Sequence, residues 1–223
     1  MPTLYIIATP IGNLGDISSR ALRVLSEVDL ILCEDTRVTK NLLDRFQIKT
    51  PTLSYHQHSK LQKVDHIIGL LESGKNLALV SDAGTPGIAD PGNKLIEEVT
   101  AKNIALNIVP LPGPSAVLSA ASIAGFSMDR FLFLGFPPVK KRRKKFMEEV
   151  VSSKYPVVFY ESPYRIIKTL KELQSGLADR PIVVCRELTK KFETIYRGKT
   201  AEIISKIEKD KIKGEFTVVI GNI

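Results

Sequence analysis

The chain is 223 residues long, 43% hydrophobic and formally charged +8. That composition excludes a disordered or fibrous polymer and predicts a packed core in one large domain or two small ones. No apolar run reaches the ~18–20 residues needed to cross a bilayer, and Met1–Pro10 lacks the basic-then-apolar pattern of a secretion signal, so it reads as a first core strand.

In chain order, Leu4–Ala8 is a strand candidate. Ser18 or Ser19 can cap a helix through about Ser26, with Ala21, Leu22 and Leu25 on one face. Asp29–Cys33 is the next strand, Thr36 can cap a helix to about Phe46, and Thr52–Tyr55 is a short strand. A helix over Lys60–Glu72 turns Ile67, Ile68 and Leu71 inward and ends near Gly74. Asn76–Val80 (strand), Lys94–Ala101 (helix) and Leu106–Val109 (strand) follow. This alternation predicts a mostly parallel sheet with helices on both faces. Pro110-Leu111-Pro112-Gly113-Pro114 can continue neither a helix nor a central strand, which places a domain boundary there, with domains at 1–112 and 113–223.

The second half restarts with an apolar helix, Ser115–Ala124, and a strand, Arg130–Leu134, then a basic segment. Pro156–Tyr160 (strand), Ser162–Leu173 (helix), Pro181–Arg186 and Thr194–Arg197 (strands), Thr200–Glu208 (helix) and Glu215–Ile220 (strand) complete an α/β domain with antiparallel pairs and a mixed sheet. Charge breaks at the same boundary. Residues 1–113 hold 11 Lys+Arg against 12 Asp+Glu, and residues 114–223 hold 21 against 12. A one-sided positive field attracts polyanions.

Several patterns lead nowhere. Gly69 with Gly74-Lys75 has phosphate-loop spacing, but Asn76 stands where Ser or Thr must hold magnesium, and the glycines end a helix. No G-x-G-x-x-G fingerprint occurs. His56-Gln57-His58 lacks a third ligand and reads as polar side chains facing solvent or substrate, so no metal is expected. Cys33 and Cys185 each end an apolar run; they fit neither a disulfide scaffold nor a zinc site, and buried thiols in a reducing cytoplasm are expected.

The strand-end loops carry chemistry. Ser81–Gly92 follows a strand directly as a long turn of small residues with Asp82 at its second position. Ligands of open α/β sheets bind outside the carboxyl ends of strands, where glycines admit close backbone approach, and Asp82 can accept hydrogen bonds from a ligand amine or hydroxyl. Thr9-Pro10-Ile11-Gly12-Asn13-Leu14-Gly15-Asp16 also follows a strand. Pro112-Gly113-Pro114-Ser115-Ala116 is a third such element, with Ser115 opening a helix whose free N–H groups offer polar contacts.

With these blocks the chain resembles the tetrapyrrole methylase superfamily and, within it, the ribosomal RNA small subunit methyltransferase I family. The resemblance runs from Leu4 to Ile220. It rests on Ala8-Thr9-Pro10-Ile11-Gly12-Asn13-Leu14, Glu34-Asp35-Thr36-Arg37, Ser54-Tyr55-His56, Val80 through Gly92, Pro112-Gly113-Pro114-Ser115-Ala116, Phe159-Tyr160-Glu161-Ser162-Pro163, Arg186 through Glu193 and Gly214-Glu215-Phe216. Corrin-modifying relatives have a first loop like G-x-G-P-G-D instead. The resemblance implies a two-domain α/β fold with S-adenosylmethionine in the cleft between domains, a homodimer, and a 2′-O-methylated cytidine of the 16S ribosomal RNA decoding region as product. Cofactor contacts are expected from Pro10, Ile11, Gly12, Asp82, Ala83, Gly84, Thr85, Ile88, Ser115, Ala116, Tyr160 and Glu161. Gly87-Ile88-Ala89 departs from relatives that have a larger residue, then Ile-Ser, and many relatives continue with a C-terminal segment after the last strand.

A ribose hydroxyl is a poor nucleophile, so such an enzyme must align it with the methyl donor and take its proton. Glu34 or Glu187 is expected to polarise the hydroxyl while Arg37 and Lys190 hold phosphates; salt bridges between the domains are the competing reading of the same residues. Lys140-Lys141-Arg142-Arg143-Lys144-Lys145 reads either as an RNA phosphate grip or as a solvated loop leading into a helix. The competing functions are methylation of a small tetrapyrrole and a non-catalytic, RNA-binding ribosome assembly factor.

Overall fold

The computed structural model describes residues 1–56, 61–90, 92–102, 104–210 and 212–222. The expectations that touch Gln57, His58, Lys60 and Pro91 lie outside these residues. The chain divides into two units, Met1–Ser115 and Ala116–Ile223.

In the first unit β1 (Thr3–Ile7), β2 (Leu30–Cys33), β3 (Thr52–Ser54), β4 (Leu77–Leu79) and β5 (Asn107–Leu111) form one sheet in the order β3-β2-β4-β1-β5. Every pairing is parallel, with Leu4 opposite both Leu77 and Ile108. The period of two sorts side chains to the two faces. Leu4, Ile6, Leu32, Leu77 and Leu79 pack with Val64, Ile67, Ile68 and Leu71 of α3 (Leu61–Glu72) and Leu95 and Val99 of α4 (Gly92–Ala101). Ile7, Ile31, Cys33, Ala78 and Val80 pack with Ala21, Val24 and Leu25 of α1 (Ser19–Glu27) and Leu43 of α2 (Thr36–Arg45). Covered on both faces, the inner strands β1, β2 and β4 bury nearly every position and read as continuous apolar runs, whereas the edge strands β3 and β5 are only partly buried.

The helix starts follow from local hydrogen bonding. Ser18 Oγ accepts the Ala21 amide at 3.1 Å and caps α1. Asp35 caps α2 in place of the expected Thr36, accepting the Arg37 amide at 2.8 Å; a carboxylate also meets the positive end of the helix dipole. β5 runs through Pro110, past the expected stop at Val109. As an edge strand paired only with β1, it has a free side on which the missing proline N–H costs no ladder bond.

In the second unit β6 (Leu132–Phe133), β7 (Val157–Glu161), β8 (Ile182–Arg186), β9 (Thr194–Gly198) and β10 (Phe216–Ile220) form a mixed sheet ordered β6-β7-β10-β8-β9. β6 and β7 are parallel and the other pairs antiparallel. One face packs Val157, Phe159, Val184, Phe216 and Val218 against α6 (Arg143–Ser152), α7 (Ile166–Leu177) and α8 (Thr200–Lys209). The other packs Val158, Val183, Cys185 and Val219 against Val117 and Ala120 of α5 (Ala116–Ser122). Each fully buried Leu, Ile, Val or Phe contributes about 1.5–3 kcal/mol. α7 starts at Ile166, four residues after the expected Ser162. Pro163 disfavours helical backbone at Ser162, and the Ser162 amide is taken by the Glu161 carboxylate at 2.7 Å.

Candidate functional site

The parallel sheet of the first unit puts the carboxyl ends of its strands along one edge, and three loops there are tied together. Thr9 and Gly84 exchange backbone hydrogen bonds of 2.9 and 3.0 Å. Thr9 Oγ1 donates to the Ser81 carbonyl at 3.1 Å, and Thr85 Oγ1 donates to the Pro114 carbonyl at 3.1 Å. The loops after β1, β4 and β5 therefore form one connected surface. Two glycines are required in it. Gly84 adopts φ +80, a left-handed backbone that side chains resist. A Cβ on Gly113 would lie 2.9 Å from the Ala8 methyl, so glycine allows the third loop to close on the first.

Pro10, Ile11, Gly12, Asp82, Ala83, Gly84 and Thr85 thus belong to these joined loops, with Pro10, Ile11 and Gly84 buried and Gly12, Asp82 and Ala83 exposed, while Ile88 is exposed further along the loop after β4. The Asp90 carboxylate shapes that loop by accepting the Gly87 and Gly92 amides at 2.6 and 2.8 Å. Beside it lies a depression lined by Thr9, Pro10, Leu14, Val38, Thr39, Asn41, Leu42, Ser81 and Asp82. Its far wall, from α2, was not foreseen in the sequence; Val38 and Leu42, four apart on one helix face, were the available signal.

Asp82 joins this depression to a second, open one lined by Glu34, Asp35, Thr36, Arg37, Ser54, His56 and Asp82. Asp82 Oδ1 accepts the Asp35 amide at 3.0 Å, so the loop after β2 is fastened to the loop after β4. Arg37 is exposed and grips Asp35 at 2.7 Å; its hydrogen bonds pull the Asp35 carboxyl down to about 2. Glu34 behaves oppositely. Its side chain is exposed, but partial desolvation pushes its carboxyl up, and repulsion from Asp82 and Asp90 adds to this. Among the described residues no group of three or more His, Cys, Asp or Glu could hold a metal ion.

A stability test follows for Glu34. A carboxyl whose pKa is raised on folding favours the folded chain fully below its unfolded pKa, and that contribution is lost as pH rises through the folded value. Glutamine stays neutral. Glu34→Gln is therefore expected to raise the thermal midpoint near neutral pH and to leave it unchanged in acid below the carboxylate range. A midpoint shift equal at both pH values would contradict the desolvation and repulsion assigned to Glu34.

In the second unit, Glu187 and Lys190 meet. Lys190 Nζ donates to Glu187 Oε1 at 2.9 Å and to Glu215 Oε2 at 3.0 Å, and Glu187 Oε1 also accepts the Glu215 amide at 2.9 Å. Burial alone would raise the Glu187 carboxyl, but the Lys190 hydrogen bond and the Glu215 amide outweigh it and hold the carboxyl below its usual range. Burial likewise pulls the Lys190 ammonium down, and its two carboxylate partners override that and hold it up. Glu187 and Thr189 have left-handed backbone, φ +53 and +65, a strain that persists where surrounding contacts over-determine it.

Ser115 directly precedes α5 and Ala116 begins it. Tyr160 is half-buried against Phe133 and Phe136, with ring centroids 5.1 and 5.3 Å apart. Glu161 is buried and fully engaged. It accepts Ser162 N and Thr169 Oγ1 at 2.7 and 2.6 Å and pairs with Arg165 at 2.8 Å. The six-cation run is split. Lys140, Lys141, Arg142, Lys144 and Lys145 are exposed, whereas Arg143 is buried and donates to Glu172, Thr169 Oγ1 and the Pro138 carbonyl at 2.9, 2.8 and 3.2 Å. The last three residues of the run form the first turn of α6, so the run is loop only in part. No helix of the described residues is long and apolar enough to cross a membrane.

Comparison with known proteins gives a consistent answer. The family of tetrapyrrole (corrin/porphyrin) methylases matches residues 3–204. The chain is 45% identical to the ribosomal RNA small subunit methyltransferase I of Thermotoga maritima over 220 residues, 99% of this chain and 98% of that protein. It is also 45% identical to the protein of the same name from Bacillus subtilis, over 99% of this chain and 75% of the relative. In three dimensions it resembles a cobalamin biosynthetic enzyme, cobalt precorrin-4 methyltransferase CbiF, with a TM-score of 0.70, 20% identity and coverage of 98% of this chain and 94% of that one. That last likeness bears on the fold alone.

Proposed function

The chain belongs to the tetrapyrrole (corrin/porphyrin) methylase family and, within it, to the group of ribosomal RNA small subunit methyltransferase I proteins, and from this premise we propose that it methylates the ribose 2′-oxygen of a cytidine in the decoding region of 16S ribosomal RNA. Its proposed setting is the cytoplasm, its substrate the small ribosomal subunit and its working form a homodimer. The observation that carries the reading is the strand edge of the first unit, where the loops after β1, β4 and β5 are cross-tied beside the exposed Asp82.

The methyl donor is S-adenosylmethionine, which supplies a methyl group on a sulfonium, already an excellent leaving group. The residues suit it. The close approach of Gly113 to Ala8 brings the loops after β1 and β5 together, and Asp82 presents a carboxylate to an amine or hydroxyl. Pro10, Ile11, Gly12, Ala83, Gly84, Thr85 and Ile88 would hold the donor from the first unit; Ser115, Ala116, Tyr160 and Glu161 are the remaining candidates. Because Glu161 is already saturated by Ser162, Thr169 and Arg165, its part would be to fix Tyr160 in place.

Of the two carboxylates considered as proton acceptor, Glu34 is favoured. Its raised pKa makes it the stronger base and brings it closer to working pH, whereas Lys190 and the Glu215 amide hold the Glu187 carboxyl below its usual range and leave it the weaker base. Glu187 then serves as a positioning residue for the Lys190 ammonium, which with Arg37 would hold substrate phosphates or favour the developing alkoxide.

The test is transfer of labelled methyl to small ribosomal subunits, to free 16S RNA and to a corrin. Label recovered as 2′-O-methylcytidine is the expected result, with Asp82→Ala losing donor affinity and Glu34→Gln losing at least about a hundredfold in transfer with donor affinity intact. Label on the corrin would instead mark a small-molecule enzyme, and donor binding absent from the wild-type chain would mark an assembly factor.

A further inference from the structure

The basic run of the second unit is bordered by exposed aromatic surface that charge alone does not explain. Phe136 is 54% exposed, Val139 67% and Tyr164 96%. Single exposed apolar side chains are ordinary, but these sit on two segments that are fastened together. Arg165, next in chain to Tyr164, donates to the Pro137 carbonyl at 2.9 Å, next in chain to Phe136. Arg143 donates to the Pro138 carbonyl at 3.2 Å. Both arginines are anchored through Glu161 and Thr169, and Phe136 leans on the Tyr160 ring. Lys140, Lys141 and Arg142 follow directly and are exposed.

We propose that Tyr164 and Phe136 form a stacking platform for unpaired nucleobases, with Lys140, Lys141 and Arg142 holding the flanking phosphates. Aromatic faces beside a cationic track fit single-stranded RNA, whose splayed bases offer π-faces that a duplex keeps hidden. A polyanion is the partner that matches the charge, and the backbone that carries Tyr164 is held in place by Arg165, which leaves the ring itself open to a base. The proposal rests on the RNA reading above.

The chain contains no tryptophan, so Tyr164→Trp creates a single tryptophan, selectively excited apart from the tyrosines, that can still stack. The probes are a single-stranded RNA oligonucleotide and a duplex of equal length. Expected are quenching of Tyr164→Trp by the single strand but not the duplex, and a loss of about tenfold in single-strand affinity for each of Tyr164→Ala and Phe136→Ala. Salt-dependent single-strand binding by the wild-type chain, with Tyr164→Trp unquenched and Tyr164→Ala at full affinity, would overturn the platform and leave the RNA reading standing. No salt-dependent binding by the wild-type chain would remove both. Altered sedimentation of Tyr164→Ala with RNA affinity unchanged would also overturn it, assigning the surface to protein contact.

Discussion

Replacing Lys140, Lys141, Arg142, Lys144 and Lys145 together by glutamine is expected to flatten the salt dependence of RNA binding while leaving the fold intact. Each phosphate left without its cation takes about 0.7–0.9 from the slope of log affinity against log salt. If all five meet phosphates, the slope falls by about 4 and affinity at physiological salt by on the order of a hundredfold or more. The side chains are exposed, and among the described residues the one ion pair that involves them, Lys144 with Glu148 at 3.8 Å, contributes under about 1 kcal/mol, so the thermal midpoint should hold. Arg143→Gln is the internal control. Its guanidinium is buried among Glu172, Thr169 and the Pro138 carbonyl, so it should lose stability and keep the slope. Fluorescence anisotropy over a salt series with a labelled oligonucleotide measures the slope, and thermal melts of the same variants measure stability. An unchanged slope in the fivefold variant would show that the run is a solvated surface and no RNA grip.

Glu161→Ala is expected to be the most destabilising single change at the candidate site. It strips Arg165, the Ser162 amide and Thr169 of their shared acceptor, and breaking a buried pair by removing one partner costs about 3–5 kcal/mol. With a typical urea dependence of about 1–3 kcal/mol per molar, the unfolding midpoint should drop by more than about 1 M. Glu161→Gln should fall between, since an amide oxygen can still accept but no longer balances the Arg165 charge. An unaltered midpoint with lost donor affinity would move Glu161 from scaffold to direct cofactor contact.

Fold class was legible because two periodicities are strong. The doubly buried strands alternate Leu4-Ile6 against Ile7 and Leu77-Leu79 against Ala78-Val80 on opposite faces, and helices fall between them at regular intervals. Element ends were less legible because they are decided by bonds that span the fold or by carboxylates a residue away. Thr36 and Asp35 are both good caps in sequence, and only geometry puts Asp35 on the Arg37 amide. Pro110 forbids a central strand but not an edge, and sequence does not announce which strand is the edge. The candidate site shows the same divide. Glycine-bearing strand-end loops announced a binding edge, but their cross-ties, Thr9 to Gly84 and Thr85 to Pro114, join residues 75 and 29 positions apart. The basic run was legible as charge; that its fourth member turns inward onto Glu172 and Thr169 depends on the first turn of α6.

The strand order of the first unit also bears on how the protein is made. β1 precedes the other strands, yet its neighbours in the sheet are β4 and β5, so a nascent chain must carry an unpaired β1 until Leu79 has been added and one open side of it until Leu111. β2 and β3 can pair early, but β4 must then slot between β2 and β1. Such non-local closure is slow, and open strand edges invite wrong partners. Translation stalled before Asn107 would release a product with a bare apolar edge, a natural client for chaperones and proteases.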